Sequence, residues 1–326
     1  MNQTNQTENL LATGRVAGWL AATVTLCTTV CLTTQAGLLA HWNFDETGGI
    51  TAHDSAGTFD GTLSPTGAAF VPGGISGNAI SVSKVDNGFV TMGNVLGLTQ
   101  GDFSVVAWVK MNVGDTTECS TVVVKQEAGF PNGYAFAVNA CGAYSQPGKV
   151  WFSDSSFPGQ EVVSTSSVND GAWHQVVGVY HACGSQLIYI DGGPAEASNP
   201  SAAIVPNNGA FMIGGLDFSG TLGGFFTGLI DEVQIYDHAL TDADVDFLFH
   251  NPAEAVEDCA IQKARIDEQI QRLTVDFQQV FGKPEFRIPG ETTADQIETL
   301  VNAILNLNLG EKQGLFINLN GRRPPE

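Results

Sequence analysis

The hydrophobic pattern around residues 173–190 predicts a β-hairpin. Trp173–Tyr180 and Leu187–Ile190 are rich in β-branched and aromatic residues, and Ala182–Ser185 supplies the turn between them. Alternate positions of the first segment are apolar on both faces, as Val176 and Val177 illustrate. The hairpin is therefore covered on both sides, which predicts a layered β protein.

Short segments of the same kind recur through residues 37–250, which also hold 31 of the 38 glycines. This spacing predicts an all-β fold, an antiparallel β-sandwich of the jelly-roll type. Besides the hairpin, the predicted strands are Leu38–Phe44, Ala68–Val71, Ala79–Val82, Phe89–Met92, Phe103–Met111, Thr121–Gln126, Gly133–Ala140, Lys149–Ser153, Glu161–Ser164, Phe211–Gly214 and Phe226–Tyr236.

Helical patterns begin only near the end of this region. Thr241 and Asp244 have the spacing of a capping box, and Pro252 ends the short helix that they start. Residues 251–326 form a helical tail with one helix predicted within Glu257–Phe281 and another over Asp295–Leu305. The narrow apolar seam of the tail can dock on the sandwich, pair the two helices, or mediate self-association.

The first 36 residues resemble a secretory signal peptide. Arg15 ends a polar segment, Val16–Leu32 is apolar, and Thr34–Ala36 resembles a cleavage site. We expect a secreted protein, extracellular or periplasmic, with no membrane association after cleavage. An uncleaved membrane anchor is the alternative, although the apolar run is short for a span. The domains are then 1–36, 37–250 and 251–326.

The formal net charge of −21 is uneven along the chain, although both segments after residue 36 are acidic. Residues 37–250 hold 21 acidic residues against 4 lysines, and residues 251–326 hold 12 against 8 basic residues. Nucleic-acid binding needs clustered Lys and Arg, so a nucleic-acid partner is excluded. Such charge also keeps an exported protein dispersed, and alone it identifies no function.

Four cysteines remain after cleavage, an even number that an oxidising compartment can pair. If residues 121–126 and 133–140 form one hairpin, Cys119 and Cys141 lie side by side at its open end, which predicts a disulfide. Cys183 and Cys259 then form a second disulfide or stay free thiols.

Six strings in a fixed order carry a family resemblance. They are AHWNFDETGG (40–49), AHDSAGTFDGTL (52–63), FSVVAWVK (103–110), WHQVVGVY (173–180), LIYIDG (187–192) and GLIDEVQIYDHALTDADV (228–245). Together they resemble the laminin-G-like jellyroll domain of the concanavalin A-like lectin and glucanase superfamily. The resemblance covers residues 38 to about 250, and the fold that it implies hosts lectins, adhesive modules, glycosidases and spacers.

The resemblance also implies a calcium site, because similar jelly rolls hold one ion where the first and last strands meet. The matching residues are Asp45, Asp54 and Asp231, with Glu232 as a further ligand. Calcium takes several oxygen ligands and rigidifies loops. The alternative is that these residues are ordinary rim acids that form turns.

The sequence lacks the paired acids of a retaining glycoside hydrolase. Retention needs two carboxyl groups about 5 Å apart, as two acids at even spacing on one strand would provide. Asp231 and Glu232 are adjacent, so regular alternation sends them to opposite faces. We therefore predict no enzymatic activity, and a hydrolase with an unrecognised site stays an alternative.

Aromatic residues in or beside loops are the candidates for ligand contact, because sugar rings stack on exposed aromatic faces. Packing of each loop edge onto the sandwich is the alternative. The prediction is a recognition or adhesion module for carbohydrate or a surface glycoconjugate; a structural protein that docks partners through its tail is the second hypothesis. The candidates are Phe130, Tyr144, Trp151, Phe157 and Phe218.

Overall fold

A computed structural model describes the chain from residue 37 to residue 256, except 117–118, 128–131, 140–145, 155–160, 183 and 219. Residues Ala36–Val256 form one compact unit. The predicted signal segment and helical tail lie outside the described residues, as do Cys141, Cys183 and Cys259.

Short strands and one helix make up this unit. The strands are β1 Leu38–Trp42, β2 Thr51–Ala52, β3 Gly61–Leu63, β4 Ala68–Pro72, β5 Asn78–Val82, β6 Val90–Gly93, β7 Phe103–Met111, β8 Ser120–Lys125, β9 Tyr134–Val138, β10 Lys149–Ser153, β11 Val162–Ser167, β12 His174–Tyr180, β13 Ser185–Ile190, β14 Ala197–Pro200, β15 Phe211–Ile213, β16 Leu216–Phe218, β17 Thr221–Gly223 and β18 Gly228–Tyr236, and the helix is α1 Asp242–His250.

Two eight-stranded antiparallel sheets form the layers. The first, sheet A, has the order β14-β13-β12-β7-β18-β5-β4, and β1 also pairs with β18. The second, sheet B, has the order β11-β10-β9-β8-β15-β6-β3-β2. The predicted hairpin is β12-β13, in register from Val176 opposite Ile190 to Tyr180 opposite Gln186. The predicted jelly-roll sandwich is therefore confirmed.

The main core lies between the sheets and follows the alternation of the strands. In β7, Val105 and Val109 belong to this core, whereas Val106 belongs to a second cluster on the outer face of sheet A. Trp42 in β1 is fully buried and stacks on Phe211 in sheet B, with ring centroids 5.4 Å apart. Each large apolar side chain buried in this way contributes about 1.5–3 kcal/mol.

Helix α1 begins at the predicted capping box. The Thr241 side chain accepts the Asp244 N–H, and the Asp244 side chain accepts the Thr241 N–H. Val245 and Leu248 of the helix pack on the outer face of sheet A. Beyond the helix, Gln234 Nε2 donates to the Glu254 carbonyl, so the chain stays on the sandwich past His250.

Several short strands escaped the sequence analysis, namely β2, β3, β14, β16 and β17. They have two to four residues each, too few for an alternation to stand out. Within the described residues, no helix is long and apolar enough to cross a membrane.

Candidate functional site

Three acidic side chains lie where the middle of β18 meets β1 and the turn before β5. We call this place the acidic edge, and its residues are Asp45, Asp231 and Glu232. The pairing of β18 with β7 shifts register between Asp231 and Gln234, and Glu232 has a φ of +48°. This β-bulge interrupts the alternation on which the expectation of opposite faces for Asp231 and Glu232 rested. Both residues are buried, at 0% and 1% exposure.

Asp231 is held by the backbone of the β4-β5 turn. Its Oδ2 accepts the N–H groups of Ile75 at 2.8 Å and Ser76 at 3.4 Å, and its Oδ1 accepts the N–H of Glu232 at 2.9 Å. Burial, and secondarily the charge of Glu232, raises the pKa of Asp231 to about 8. The turn needs glycine at Gly74, since a Cβ there would lie 2.5 Å from Asp231 Oδ2.

Glu232 faces a histidine from the first strand. Its Oε2 lies 2.5 Å from Nε2 of His41, and both side chains are almost fully buried. Burial raises the pKa of Glu232, His41 opposes that rise, and the charge of Asp45 adds to it. Glu232 and Asp45 therefore share one electrostatic neighbourhood.

Asp45 and Asp54 serve turns of the backbone. Asp45 Oδ1 accepts the N–H of Asn78 at 2.8 Å, and a Cβ at Gly77 would lie 1.9 Å from the same oxygen. Asp54 accepts four backbone N–H groups, from His41, Ala56, Gly57 and Phe59. This is the turn-forming arrangement that was the alternative to calcium ligation for Asp54.

The predicted calcium ligands are thus only partly brought together. Asp45, Asp231 and Glu232 share the edge, and the carboxylate oxygens of both Asp54 and Asp231 already accept backbone donors. In the described part of the chain, no group of three or more His, Cys, Asp or Glu side chains is arranged to hold a metal ion. Calcium at this edge stays a prediction.

Of the predicted aromatic contacts, the structure describes Trp151 best. It is 5% exposed on the outer face of sheet B, paired with Ala137 and Val163. This placement matches the packing alternative. Phe218 lies in β16 and its side chain is not described; Phe130, Tyr144 and Phe157 lie outside the described residues.

Cys119 is disulfide-bonded, and it has a φ of +57° just before β8. Its predicted partner, Cys141, lies outside the described residues, as do Cys183 and Cys259. The pairing of Cys119 with Cys141 stays a prediction.

A cavity of about 130 Å³ opens at the end of the sandwich where β8 ends and β9 begins. Three loops form it, and they are tied together: the Gly133 N–H donates to the Val205 carbonyl and the Tyr134 hydroxyl to the Leu96 carbonyl. None of its lining residues is among the site residues predicted from the sequence. Its lining residues are Gly97, Leu98, Thr99, Lys125, Gly133, Tyr134 and Ile204–Asn207.

Lys125 is the charged residue of this cavity and is only 1% exposed. Its Nζ donates to Asn94 Oδ1 at 2.6 Å and to the carbonyl of Gly209. Burial lowers the pKa of Lys125, and the charge of Glu127 opposes that effect. Lys125 follows Val124 in β8, so alternation turns it toward the interlayer side, a signal that the sequence did contain.

This architecture is a lectin-like jelly-roll sandwich. Residues 84–246 match a laminin G family model described as the concanavalin A-like lectin/glucanases superfamily. The chain belongs to this superfamily, as the motif resemblance implied. No curated protein matches the chain.

Similar solved structures are distant in sequence. The binding domain of Paraclostridial Mosquitocidal Protein 1 is 14% identical with a TM-score of 0.52, over 66% of this chain and 52% of that one. Domain 4 of AbnA, a GH43 extracellular arabinanase from Geobacillus stearothermophilus, in complex with arabinotriose, is 22% identical with a TM-score of 0.49, over 66% and 98%. The first of these supports the fold, and the chain spans about half of that toxin domain.

Proposed function

We propose that this domain is a non-catalytic carbohydrate-recognition module that acts outside the cell. The cavity beside Lys125 is the observation that carries the proposal. Its lining includes apolar residues, such as Leu98 and Ile204, and the polar residues Thr99 and Asn207. Ligand sites typically combine apolar walls with a few fixed polar groups in this way, and the superfamily includes lectins.

The burial of Asp231 and Glu232 supports a non-catalytic role for the domain. In glycosidases, a general acid and a second carboxylate must flank the scissile bond. Asp231 and Glu232 are 0% and 1% exposed, and their oxygens already contact Ile75 and His41. As they stand, these two carboxyl groups are therefore not placed as a free general acid and nucleophile.

A glycan array probed with the whole secreted chain tests the proposal, with purified oligosaccharides as competitors. Val205 lies at the cavity and is 46% exposed, so the V205D variant places a charge at its mouth. The matched control is V85D, because Val85 is 90% exposed on another loop. We expect V205D to lose glycan binding and V85D to keep it. Absence of binding to every glycan would favour the partner-docking hypothesis instead.

Calcium enters this proposal as a separate prediction for the acidic edge. Thermal unfolding of the chain in CaCl₂ and in EGTA tests it, with D45N as the variant. If calcium binds there, it raises the unfolding temperature of the wild type and not that of D45N. Equal unfolding temperatures in both buffers would contradict the calcium prediction.

A further inference from the structure

The ammonium group of Lys125 is buried with neutral partners. Its two hydrogen-bond acceptors are the side-chain carbonyl of Asn94 and the backbone carbonyl of Gly209. Among the described residues, no carboxylate forms an ion pair with Lys125. A buried charge without a direct ion-pair partner is costly, and buried charges are usually paired.

Hydrogen bonds and a close backbone contact fix the loops around Lys125. Asn207 Nδ2 donates to the Lys125 carbonyl at 3.2 Å, and Asn207 Oδ1 accepts the N–H of Gly209 at 3.0 Å. Gly133 is required beside this strand end, since a Cβ there would lie 1.7 Å from the Lys125 carbonyl oxygen. These contacts fix the backbone around the cavity that Lys125 lines.

We propose that the cavity binds the carboxylate of an acidic sugar, a uronic or a sialic acid, with the Lys125 ammonium as its counter-charge. This inference rests on the proposed function and names its ligand class. A single monovalent cation matches a carboxylate, whereas phosphate dianions are usually held by several donors. The apolar side chains of Leu98, Ile204 and Pro206 offer a surface for the ring.

The cavity volume limits the ligand to about one sugar unit. Pockets that enclose drug-sized molecules measure roughly 300–1,000 Å³, whereas this one measures about 130 Å³. The carboxylate and one side of a pyranose ring fill it, and the rest of a glycan extends past the exposed Val205 and into solvent.

Glu127 is the charged group that opposes an anion here. Its charge acts on Lys125, and its Oε2 accepts the N–H of Asn208 at 3.1 Å. Glutamine at this position keeps an acceptor for that N–H and removes the charge. E127Q therefore strengthens anion binding, whereas K125M weakens it.

Titration calorimetry of the whole secreted chain tests the proposal, with glucuronate, N-acetylneuraminate, glucose and acetate as probes. We expect the preferred acid to bind about tenfold more tightly than glucose and acetate, and K125M to lose about tenfold in affinity. E127Q should gain about threefold, and added salt should weaken binding. Should K125M fail to fold, as its far-UV spectrum would show, E127Q and the salt series decide alone.

The comparison of the two acids identifies the sugar. Equal binding of acetate would overturn the acidic-sugar assignment, and so would glucose binding that K125M leaves unchanged. If the array finds neutral glycans that K125M still binds, this inference fails while the proposed function stands. If neither the array nor the titrations find a ligand, both fail.

Discussion

The D54N substitution tests whether Asp54 stabilises a turn or ligates a metal. Asp54 is 8% exposed, and its Oδ1 accepts the N–H groups of His41, Ala56 and Gly57 at 2.9–3.1 Å. Its Oδ2 accepts the N–H of Phe59 at 3.0 Å. Asparagine keeps one oxygen, while its NH₂ group cannot accept a hydrogen bond.

The expected loss of stability follows from these contacts. A hydrogen bond to a charged group contributes about 1.5–3 kcal/mol, and an unsatisfied buried donor costs a comparable amount. D54N loses one such bond outright and removes the charge from the others, so we expect a loss of about 2–3 kcal/mol. D54A leaves all four N–H groups without this acceptor and should cost about 4 kcal/mol or more, on the same scale.

Urea unfolding of the wild type and the variants, in EGTA and again in CaCl₂, measures these losses. The control is D86N, which removes the same charge from an exposed loop and should change stability by less than about 0.5 kcal/mol. The turn role requires the D54N loss to be the same in both buffers. A loss that occurs only in CaCl₂ would refute it and identify Asp54 as a metal ligand.

Two further predictions concern sheet A. His174 has Nδ1 2.8 Å from Asp191 Oδ2 and Nε2 3.0 Å from Asp170 Oδ1; chiefly the contact with Asp191 raises its pKa. The stabilisation from charged His174 is complete below the unfolded pKa of about 6.5, and it falls as pH rises through the folded pKa. Urea unfolding from pH 5.5 to 9 should show this fall in the wild type and not in H174Q. Parallel stability curves for the two proteins would contradict this prediction. Gly192 has a φ of +68°, and a Cβ there would lie 2.6 Å from Phe249 Cβ. G192A should lower the free energy of unfolding by about 2 kcal/mol, and G193A is the control. Equal thermal stability of the two variants would contradict this prediction.

Most of the fold could be predicted because alternation and turn residues act locally. The β12-β13 hairpin and the capping box of Thr241 follow from neighbouring residues, and the structure contains both. Long strands such as β7 carry enough alternating positions to fix which residues face the core. Strands of two or three residues, such as β3, are set by contacts distant in sequence, here the pairing of Thr62 with Thr91 in β6, which no local pattern records.

The acidic edge was predicted only in part, because a β-bulge cannot be recognised from the two-residue alternation of side chains along a strand. The sequence analysis placed Asp231 and Glu232 on opposite faces, which assumes regular alternation. The positive φ of Glu232 breaks that alternation, and Glu232 contacts His41, a residue 191 positions away. The resemblance pointed to this segment, and the structure gives the partners of each carboxylate.

Lys125 shows which sequence signal was available for the cavity. Val123 belongs to the core between the sheets and Val124 to the outer face of sheet B, so a regular strand points Lys125 inward. A lysine at an inward-facing position carries a desolvation cost unless the strand ends there or a partner group binds the ammonium. β8 ends at Lys125, and the loops with Asn94 and Gly209 supply carbonyl groups but no charge. A lysine at an inward-facing position at the end of a strand is therefore the sequence pattern that predicts this site. A K125M variant distinguishes a lysine that binds a ligand from one that only fills space in the core.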